Sequence, residues 1–377
     1  MSDFVEPAYG GRTLADVVPA VGSALGVEPG AAHPSQPAGS ERLELPEASS
    51  YVVFLVDGLG ADLLARHAHA APYLASLDQT TGTAGVPSTT ATSLTSFGTA
   101  LPPGAHGLVG FTARIPGTDR LLNHLWWSKE VDPVEWQPRD TALAGLRRAG
   151  VHVTVVNKRE FEDSGLTRAS VRGVDYLGAD RAGERIAAAV AASRERPSLT
   201  YLYDGDLDWT GHRYGVASSQ WLQQLSMIDA QLEQLRESLP TETRLVVVAD
   251  HGMLDSPLES RIDVDEVPGL RDGVALLGGE ARFRHVYCRA GAVDDVAATW
   301  AEVLGERACV QTRAAAIGRG WFGPVSAGVL PRLGDVIVAC RDDHALMSSV
   351  DFGYEMSLVG LHGSLTPVEM RIPILLD

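Results

Sequence analysis

The chain has 377 residues, a hydrophobic fraction of 45%, an aromatic fraction of 6% and a formal net charge of −17. This composition excludes a disordered chain, and the length allows one large α/β domain with an insertion, or two domains. The negative charge argues against binding to nucleic-acid duplexes or anionic membranes, because both require clustered Lys and Arg.

The first 50 residues are expected to form an N-terminal segment that packs on the core. Residues 14–25 have the apolar spacing of a short helix, and residues 27–50 are rich in Pro, Gly, Ala and Ser, which predicts an extended lead-in to the first strand. The terminus lacks a basic region followed by an apolar stretch, and no window approaches the ~18 apolar residues of a membrane span. We therefore expect neither a signal peptide nor a membrane anchor.

Three apolar runs, at 51–56, 199–203 and 244–249, predict parallel strands that are buried on both faces. Strand and helix patterns alternate from residue 51 onward. This alternation predicts an α/β fold with a mostly parallel central sheet and helices on both faces. Further predicted elements are a strand at 152–156 and helices at 62–70, 141–149, 183–194 and 217–239.

The pattern changes between residues 262 and 345. Short strands are predicted at 285–289 and 334–340, with a helix at 293–304 and glycine-bearing loops between them. We interpret this region as a smaller α+β insertion beside the active site. It would divide the catalytic domain into two parts, residues 51–261 and 346–377.

The three cysteines, Cys288, Cys309 and Cys340, are widely spaced and form no C-x-x-C pattern. Neither a disulfide framework nor a thiolate zinc site is therefore predicted. We expect free thiols and a reducing, cytoplasmic location.

Acidic, hydroxyl and imidazole residues follow the apolar runs, at the strand ends where α/β sheets bind ligands. Carboxylates combined with imidazoles suit zinc, and manganese or iron fit the same ligands. The set predicts a two-metal phosphoryl-transfer site, in which a threonine hydroxyl beside a divalent cation attacks phosphorus. Its members are Asp57, Thr90, Asp208, His212, Asp250, His251 and His362.

Six motifs, in order, resemble the nucleotide pyrophosphatase/phosphodiesterase family of the alkaline phosphatase superfamily. The resemblance implies an alkaline phosphatase-like fold and a small phosphodiester, nucleotide or related phosphorylated substrate. The motifs are V-D-G-L-G at 56–60, P-S-T-T-A-T at 87–92, T-A-L-P-P-G-A-H-G at 99–107, D-W-T-G-H-R-Y-G at 208–215, A-D-H-G-M at 249–253 and L-H-G at 361–363.

The same resemblance implies a role for each site residue. Thr90 would be the nucleophile and form a covalent phosphothreonine intermediate, with Ser88, Thr89 and Thr92 as neighbouring competitors. Two zinc ions are implied. One would be held by Asp208, His212 and His362, and the second by Asp57, Asp250 and His251 together with Thr90.

One position departs from the family pattern. Familiar relatives carry a phosphate-binding asparagine five positions after the histidine equivalent to His106, where this chain has Phe111. We predict that Asn123 replaces this donor, with Thr112 or a backbone amide as alternatives.

Other activities fit the same residues. A phosphomonoesterase, phosphonate hydrolase or phosphomutase would share the metal site, and a monoesterase would add Arg or Lys against the extra phosphate charge. Lys158 and Arg172 are the candidates for that role. A non-catalytic binding protein on the same fold is the third alternative.

Overall fold

The structure is a computed structural model that describes residues 4–27 and 42–377. The helices are α1 (Val17–Ala24), α2 (Ala61–Arg66), α3 (Pro72–Ser76), α4 (Thr90–Thr99), α5 (Pro103–His106), α6 (Pro133–Trp136), α7 (Ala142–Arg148), α8 (Gly165–Ser170), α9 (Ala182–Ala192), α10 (Asp206–Tyr214), α11 (Ser219–Ser238), α12 (Val293–Leu304), α13 (Arg313–Gly318) and α14 (Pro367–Met370). The strands are β1 (Ser50–Val56), β2 (Asp78–Thr83), β3 (Thr112–Arg114), β4 (Leu121–Asn123), β5 (His152–Asn157), β6 (Asp175–Gly178), β7 (Ser198–Asp204), β8 (Thr243–Val248), β9 (Leu254–Asp255), β10 (Arg261–Asp263), β11 (Val274–Glu280), β12 (Phe283–Cys288), β13 (Ala308–Thr312), β14 (Val336–Cys340), β15 (Ala345–Met347), β16 (Gly360–Leu361) and β17 (Arg371–Leu376).

A seven-stranded sheet with the order β2-β17-β8-β1-β7-β5-β6 forms the centre of the molecule. The strands from β8 to β6 run parallel, whereas β17 is antiparallel to both β8 and β2. Strand β1 is buried along its whole length, as its uninterrupted apolar sequence predicts. The predicted mostly parallel α/β fold is confirmed.

A smaller antiparallel sheet with the order β11-β12-β14-β13 follows in the chain. It has its own apolar core, in which Val286 and Val338 of the sheet and Trp300 of α12 are buried. Helix α12 has the bounds that its sequence pattern predicts. Strand β11 ends at Glu280, which brings this sheet to the edge of the site described below.

The helix predicted at 14–25 forms as a 3₁₀ turn, Leu14–Asp16, followed by α1, and its Val17, Val18 and Val21 are buried. The helix predicted at 62–70 ends earlier, because α2 stops at Arg66 and a separate 3₁₀ turn follows. Tighter turns of this kind are common at helix ends. Much of the extended segment predicted at 27–50 lies outside the described residues.

Three strands of the central sheet, β2, β6 and β17, were not predicted. Strand β2 has the polar sequence D-Q-T-T-G-T, since it is an exposed edge strand. Strand β17 contains Pro373, which argues against an interior strand because proline lacks the ladder N–H. The proline is tolerated because pairing with β8 begins only at Ile374. Within the described residues, no helix combines the length and apolar character of a membrane span.

Candidate active site

The predicted acidic residues lie at the carboxyl ends of three neighbouring parallel strands, at one edge of the central sheet. Strand β1 lies between β7 and β8. Asp57 follows β1 and Asp250 lies just beyond β8, while α10, which follows β7, carries Asp208 and His212. The carboxyl ends of the strands therefore converge, as the order of motifs along the sequence predicts.

Thr90 is the first residue of α4, and its side chain is buried, with 8% of the residue exposed. Its hydroxyl oxygen lies 3.3 Å from His251 Nε2 and 3.5 Å from Asp57 Oδ2. The N-terminus of a helix presents backbone N–H groups that the helix itself cannot satisfy, and such groups favour a bound phosphate. The hydroxyl therefore lies beside both the acidic residues and an anion-binding helix end.

The six predicted ligands form one compact group, here called the carboxylate–imidazole cluster. His212 Nε2 lies 3.3 Å from Asp208 Oδ2 and 3.2 Å from His362 Nε2. Ligand atoms of Asp208, His251 and His362 also lie within 4.8 Å of one another. A second such set shares His251 with the first, so the two candidate ion positions adjoin. The cluster consists of Asp57, Asp208, His212, Asp250, His251 and His362.

The three imidazoles are held in one orientation by backbone carbonyls. Nδ1 of His212 lies 2.7 Å from the Gly360 oxygen, and Nδ1 of His362 lies 2.9 Å from the Ser88 oxygen. His251 uses the carbonyl of the next residue at 3.0 Å. A carbonyl oxygen only accepts, so each Nδ1 must be protonated, and each Nε2 keeps a lone pair directed into the cluster. This is the tautomer that a metal ligand requires.

Burial opposes charge on the carboxylates in the absence of a cation. Burial, together with the charges of Asp250 and Asp208, raises the pKa of Asp57 well above its ordinary value. Burial also raises the pKa of Asp250, and it lowers the pKa of His362 well below the usual imidazole value. One carboxylate oxygen of each of Asp57, Asp208 and Asp250 is buried without a hydrogen-bond partner. Buried carboxylates and lone pairs that lack partners fit divalent metal ions well.

Several neighbours fix the carboxylates and were not predicted from sequence. The Tyr203 hydroxyl donates to Asp57 Oδ2, and the amides of Gly58 and His251 donate to Asp250 Oδ1 at 3.1 and 3.0 Å. Tyr203 ends the apolar run at 199–203, and a phenol at the end of a buried strand is the signal that would have found it.

Gly252 follows Asp250 and His251, and its φ lies outside the left-handed region. A Cβ there would lie 1.9 Å from the Val368 carbonyl oxygen. Close backbone packing against the segment before β17 therefore requires this glycine.

A cavity of about 700 Å³ opens beside Thr90. Its polar floor includes Asp208, His212 and His362, and much of its wall is aromatic or apolar. Phe111, Trp126 and Tyr354 pack against one another with ring centroids 5.8, 6.0 and 5.9 Å apart. We call these three residues the aromatic wall. The cavity is large enough for an organic group attached to phosphorus.

The structure also locates the three candidate phosphate donors. The Asn123 side-chain oxygen accepts from the amides of Leu125 and Trp126, both at 2.9 Å, and the Thr112 hydroxyl donates to the Gly279 carbonyl. Neither side chain is part of the cavity lining, so the role of Asn123 as a phosphate donor stays a prediction. The α4 backbone amides, the third alternative, adjoin Thr90.

The two cations considered for a monoesterase are engaged elsewhere. Lys158 pairs with Asp206 at 2.9 Å, and the Arg172 guanidinium donates to backbone carbonyls, including that of Ala169 at 3.0 Å. The cavity lining instead contains Arg213, which stacks on the Trp209 and Tyr214 rings.

Comparisons with known proteins identify the family and the fold. A family model described as type I phosphodiesterase / nucleotide pyrophosphatase matches residues 51–365. Murine ectonucleotide pyrophosphatase/phosphodiesterase 5 is similar in structure with a TM-score of 0.67 and 17% identity, over 86% of this chain and 87% of that chain. Phosphonoacetate hydrolase from Sinorhizobium meliloti 1021, in complex with phosphonoformate, gives a TM-score of 0.65 and 19% identity, over 90% and 92%. No curated protein sequence matches the chain.

Proposed function

The chain belongs to the type I phosphodiesterase / nucleotide pyrophosphatase family, and on this premise we propose that it is a metal-dependent phosphodiesterase or nucleotide pyrophosphatase with Thr90 as its nucleophile. Family membership makes it a phosphoric ester hydrolase. The assignment of Thr90 as the nucleophile is supported by the position of its hydroxyl. The hydroxyl faces Asp57 and His251 beside a cavity that accepts an organic group.

The carboxylate–imidazole cluster would hold two divalent ions, with zinc as the proposed metal. Asp208, His212 and His362 would hold one, and Asp57, Asp250 and His251 the other. When bound, such ions supply Lewis-acid activation of the nucleophile and stabilise charge on the phosphoryl oxygens and the leaving group. A solved complex supports the choice of substrate class: an inactive threonine-to-alanine variant of the murine protein is in complex with AMP.

The residues of the chain would supply the nucleophile and the contacts to the phosphoryl oxygens. The Thr90 oxygen forms a bond to phosphorus as the bond to the leaving oxygen breaks, and the threonine proton leaves with the departing alcohol or phosphate. Water then hydrolyses the phosphothreonine and restores the hydroxyl. The first amides of α4, which begins at Thr90, would donate to a phosphoryl oxygen and so take the place of the asparagine that Phe111 replaces.

A phosphonate hydrolase is the second candidate, supported by the similarity to phosphonoacetate hydrolase. Lys158 and Arg172 do not line the cavity, so neither supplies the extra positive charge that a monoesterase would need, whereas Arg213 does line it. The cytoplasmic location stays a prediction from the sequence.

The test is hydrolysis of bis(para-nitrophenyl) phosphate by the zinc-loaded protein, alongside the matched monoester and phosphonoacetate. We expect the diester to be the best of the three, and Thr90→Ala to abolish its turnover while the metal content stays the same. Thr92→Ala is the matched control, because the Thr92 hydroxyl donates to the Leu108 carbonyl and does not face the cluster. Full activity of Thr90→Ala would refute the assignment.

A further inference from the structure

Arg282 and Glu369 form a buried ion pair to which the proposed chemistry gives no role. Both side chains are 0% exposed. The guanidinium donates to both carboxylate oxygens, with Nε 2.6 Å from Oε1 and Nη2 2.8 Å from Oε2. Arg282 lies in the turn between β11 and β12 of the smaller sheet, and Glu369 belongs to α14, which directly precedes β17 of the central sheet. The pair therefore joins the two sheets.

The smaller sheet fixes the position of the Arg282 guanidinium. Nη2 also donates to the Asp342 carbonyl at 2.8 Å, and Nη1 donates to the His344 carbonyl. Both carbonyls lie just after β14. The amide of Cys340, the last residue of β14, donates to the Arg282 carbonyl at 2.9 Å. The orientation of the guanidinium is thus set within the smaller sheet, and the guanidinium in turn orients the Glu369 carboxylate.

The Glu369 carboxylate holds the segment that carries His362. Oε1 accepts from the Ser364 amide at 3.0 Å, and Oε2 accepts from the Thr366 hydroxyl. Both donor residues are buried, and residues 362–366 belong to no helix or strand. Buried backbone without a hydrogen-bonded ladder depends on other acceptors to satisfy its N–H groups. Glu369 thereby determines the path of the chain two residues after His362.

The same segment is bonded to the residues before the nucleophile. The Ser364 carbonyl accepts from the Ser88 hydroxyl at 2.6 Å, and the Gly363 carbonyl accepts from the Ser88 amide at 3.1 Å. The Ser88 carbonyl in turn accepts from His362 Nδ1 at 2.9 Å. Ser88 lies two residues before Thr90. A shift of the 362–366 segment would therefore change the orientation of the His362 ring.

The backbone of Glu369 contacts a second ligand segment. Its carbonyl accepts from the Gly252 amide at 2.8 Å, and Gly252 directly follows His251. This contact involves main-chain atoms alone. A change of the Glu369 side chain therefore leaves the support of His251 in place, while it removes the support of the segment that carries His362.

Stability alone does not account for the buried pair. Removing two charges from water is costly, and replacing a buried ion pair by apolar residues is often neutral or stabilising. An apolar replacement here would leave the Ser364 amide and the Thr366 hydroxyl without their acceptor. A fork of two parallel hydrogen bonds also fixes the relative orientation of both partners. These are the properties of a pair that sets geometry.

Resting on the proposed two-metal site, we propose that Glu369, oriented by Arg282, is a positioning residue for the metal ligand His362. Glu369 is outside the cavity lining and acts through the backbone of the 362–366 segment. The pair keeps His362 Nε2 close to the other ligands of its ion, 3.2 Å from His212 Nε2 and 3.8 Å from Asp208 Oδ1. The smaller sheet thus supports the metal site without supplying a ligand.

The test is the zinc affinity of Glu369→Gln, measured by competition with a chelator of known affinity. Glutamine keeps the shape of the side chain, but its NH₂ group cannot accept from the guanidinium. We expect the ion assigned to Asp208, His212 and His362 to bind about 10- to 100-fold more weakly, and the second ion to change by less than about threefold. Wild-type affinities for both ions in the folded variant would overturn the inference.

Thr366→Val is a milder variant that keeps the ion pair and decides the question if Glu369→Gln does not fold. It removes one hydrogen bond to the carboxylate, so the same ion should bind about two- to fivefold more weakly. Unchanged zinc affinities together with a lower midpoint of thermal unfolding would show a purely structural role and contradict the inference.

Asp335→Asn is the matched control in the smaller sheet. Asp335 pairs with Arg313 and accepts from the Cys288 amide at 2.9 Å, outside the carboxylate–imidazole cluster. The variant should lower the midpoint of thermal unfolding and keep both zinc affinities. If Asp335→Asn weakens the same ion as much as Glu369→Gln does, the effect belongs to the stability of the sheet, and the inference fails.

Zinc binding and turnover separate this inference from the proposed function. Weaker binding of one ion in Glu369→Gln and Thr366→Val, with no diester turnover by the zinc-loaded wild type, would keep the positioning role and remove the proposed function. Wild-type zinc affinities in both variants, with turnover by the zinc-loaded wild type, would remove the positioning role and keep the proposed function.

Discussion

The carboxylate–imidazole cluster and the aromatic wall face the same cavity but are built in different ways. The cluster follows buried parallel strands and is itself largely buried, with its side chains fixed by backbone hydrogen bonds. The aromatic wall comes from segments outside the central sheet, and its Trp126 and Tyr354 are exposed. Rigid scaffolds commonly hold chemical groups while surface loops vary in the ligands they contact. We therefore expect mutations in the cluster to change metal binding and mutations in the aromatic wall to change substrate choice.

The largest expected effect is on the cluster. His362→Ala removes a proposed ligand, so zinc content measured by mass spectrometry should fall from two ions to about one per chain, and turnover should fall on the order of 10³-fold. His344→Ala is the control, because His344 contacts the Ser260 carbonyl outside the cluster. An unchanged zinc content in His362→Ala would mean that His362 does not bind zinc.

A smaller effect is expected from the neighbour that orients a ligand. Tyr203→Phe removes the hydroxyl that donates to Asp57, and should weaken zinc binding or activity about 10- to 100-fold. Competition with a chelator of known zinc affinity measures the first quantity. Tyr176→Phe is the matched control, since that hydroxyl donates to the Lys158 carbonyl. Equal zinc affinities of the two variants would mean that Tyr203 does not orient Asp57.

The pH dependence of stability should reveal Glu280, a buried carboxylate of the cavity lining. The pKa of Glu280 is raised in the folded state to about 8, so the folded protein holds this proton more tightly than the unfolded chain. The stability that results is present below the unfolded pKa and is lost as pH rises through about 8.

Glu280→Gln should therefore be more stable than the substrate-free wild type at pH 9, by on the order of a few kcal/mol, and similar to it at pH 5. Thermal unfolding at both values measures the difference. A destabilised variant at pH 9 would indicate that a partner inside the protein already neutralises Glu280.

The smallest effect is expected at the exposed rim of the aromatic wall. Trp126→Ala should raise KM for an aryl diester a few-fold through lost ring contact, with the free energy of unfolding changed by less than about 0.5 kcal/mol. Met227→Ala, at a position that is 66% exposed on α11, is the control. Loss of zinc from Trp126→Ala would mean that the aromatic wall and the carboxylate–imidazole cluster do not respond separately to mutation.

The sequence predicted the central elements well for a physical reason. Strands buried on both faces need continuous apolar runs, and 51–56, 199–203 and 244–249 differ from the observed strands by one residue or less at each end. A covering helix needs periodic apolar residues, which Trp221, Leu225 and Ile228 supply. The edge strand β2 and the proline-bearing β17 lack such patterns, so only their pairing partners define them.

The sequence by itself predicted which residues form the candidate site. Carboxylates and imidazoles after buried strands must meet at one sheet edge, because parallel neighbours end together. Only the tertiary structure decided what surrounds them. The contact of Tyr203 with Asp57, the ion pair of Arg284 with Glu355 and the contact of Phe111 with Tyr354 join residues far apart in the chain. No local pattern encodes such contacts, since they depend on how separate elements pack.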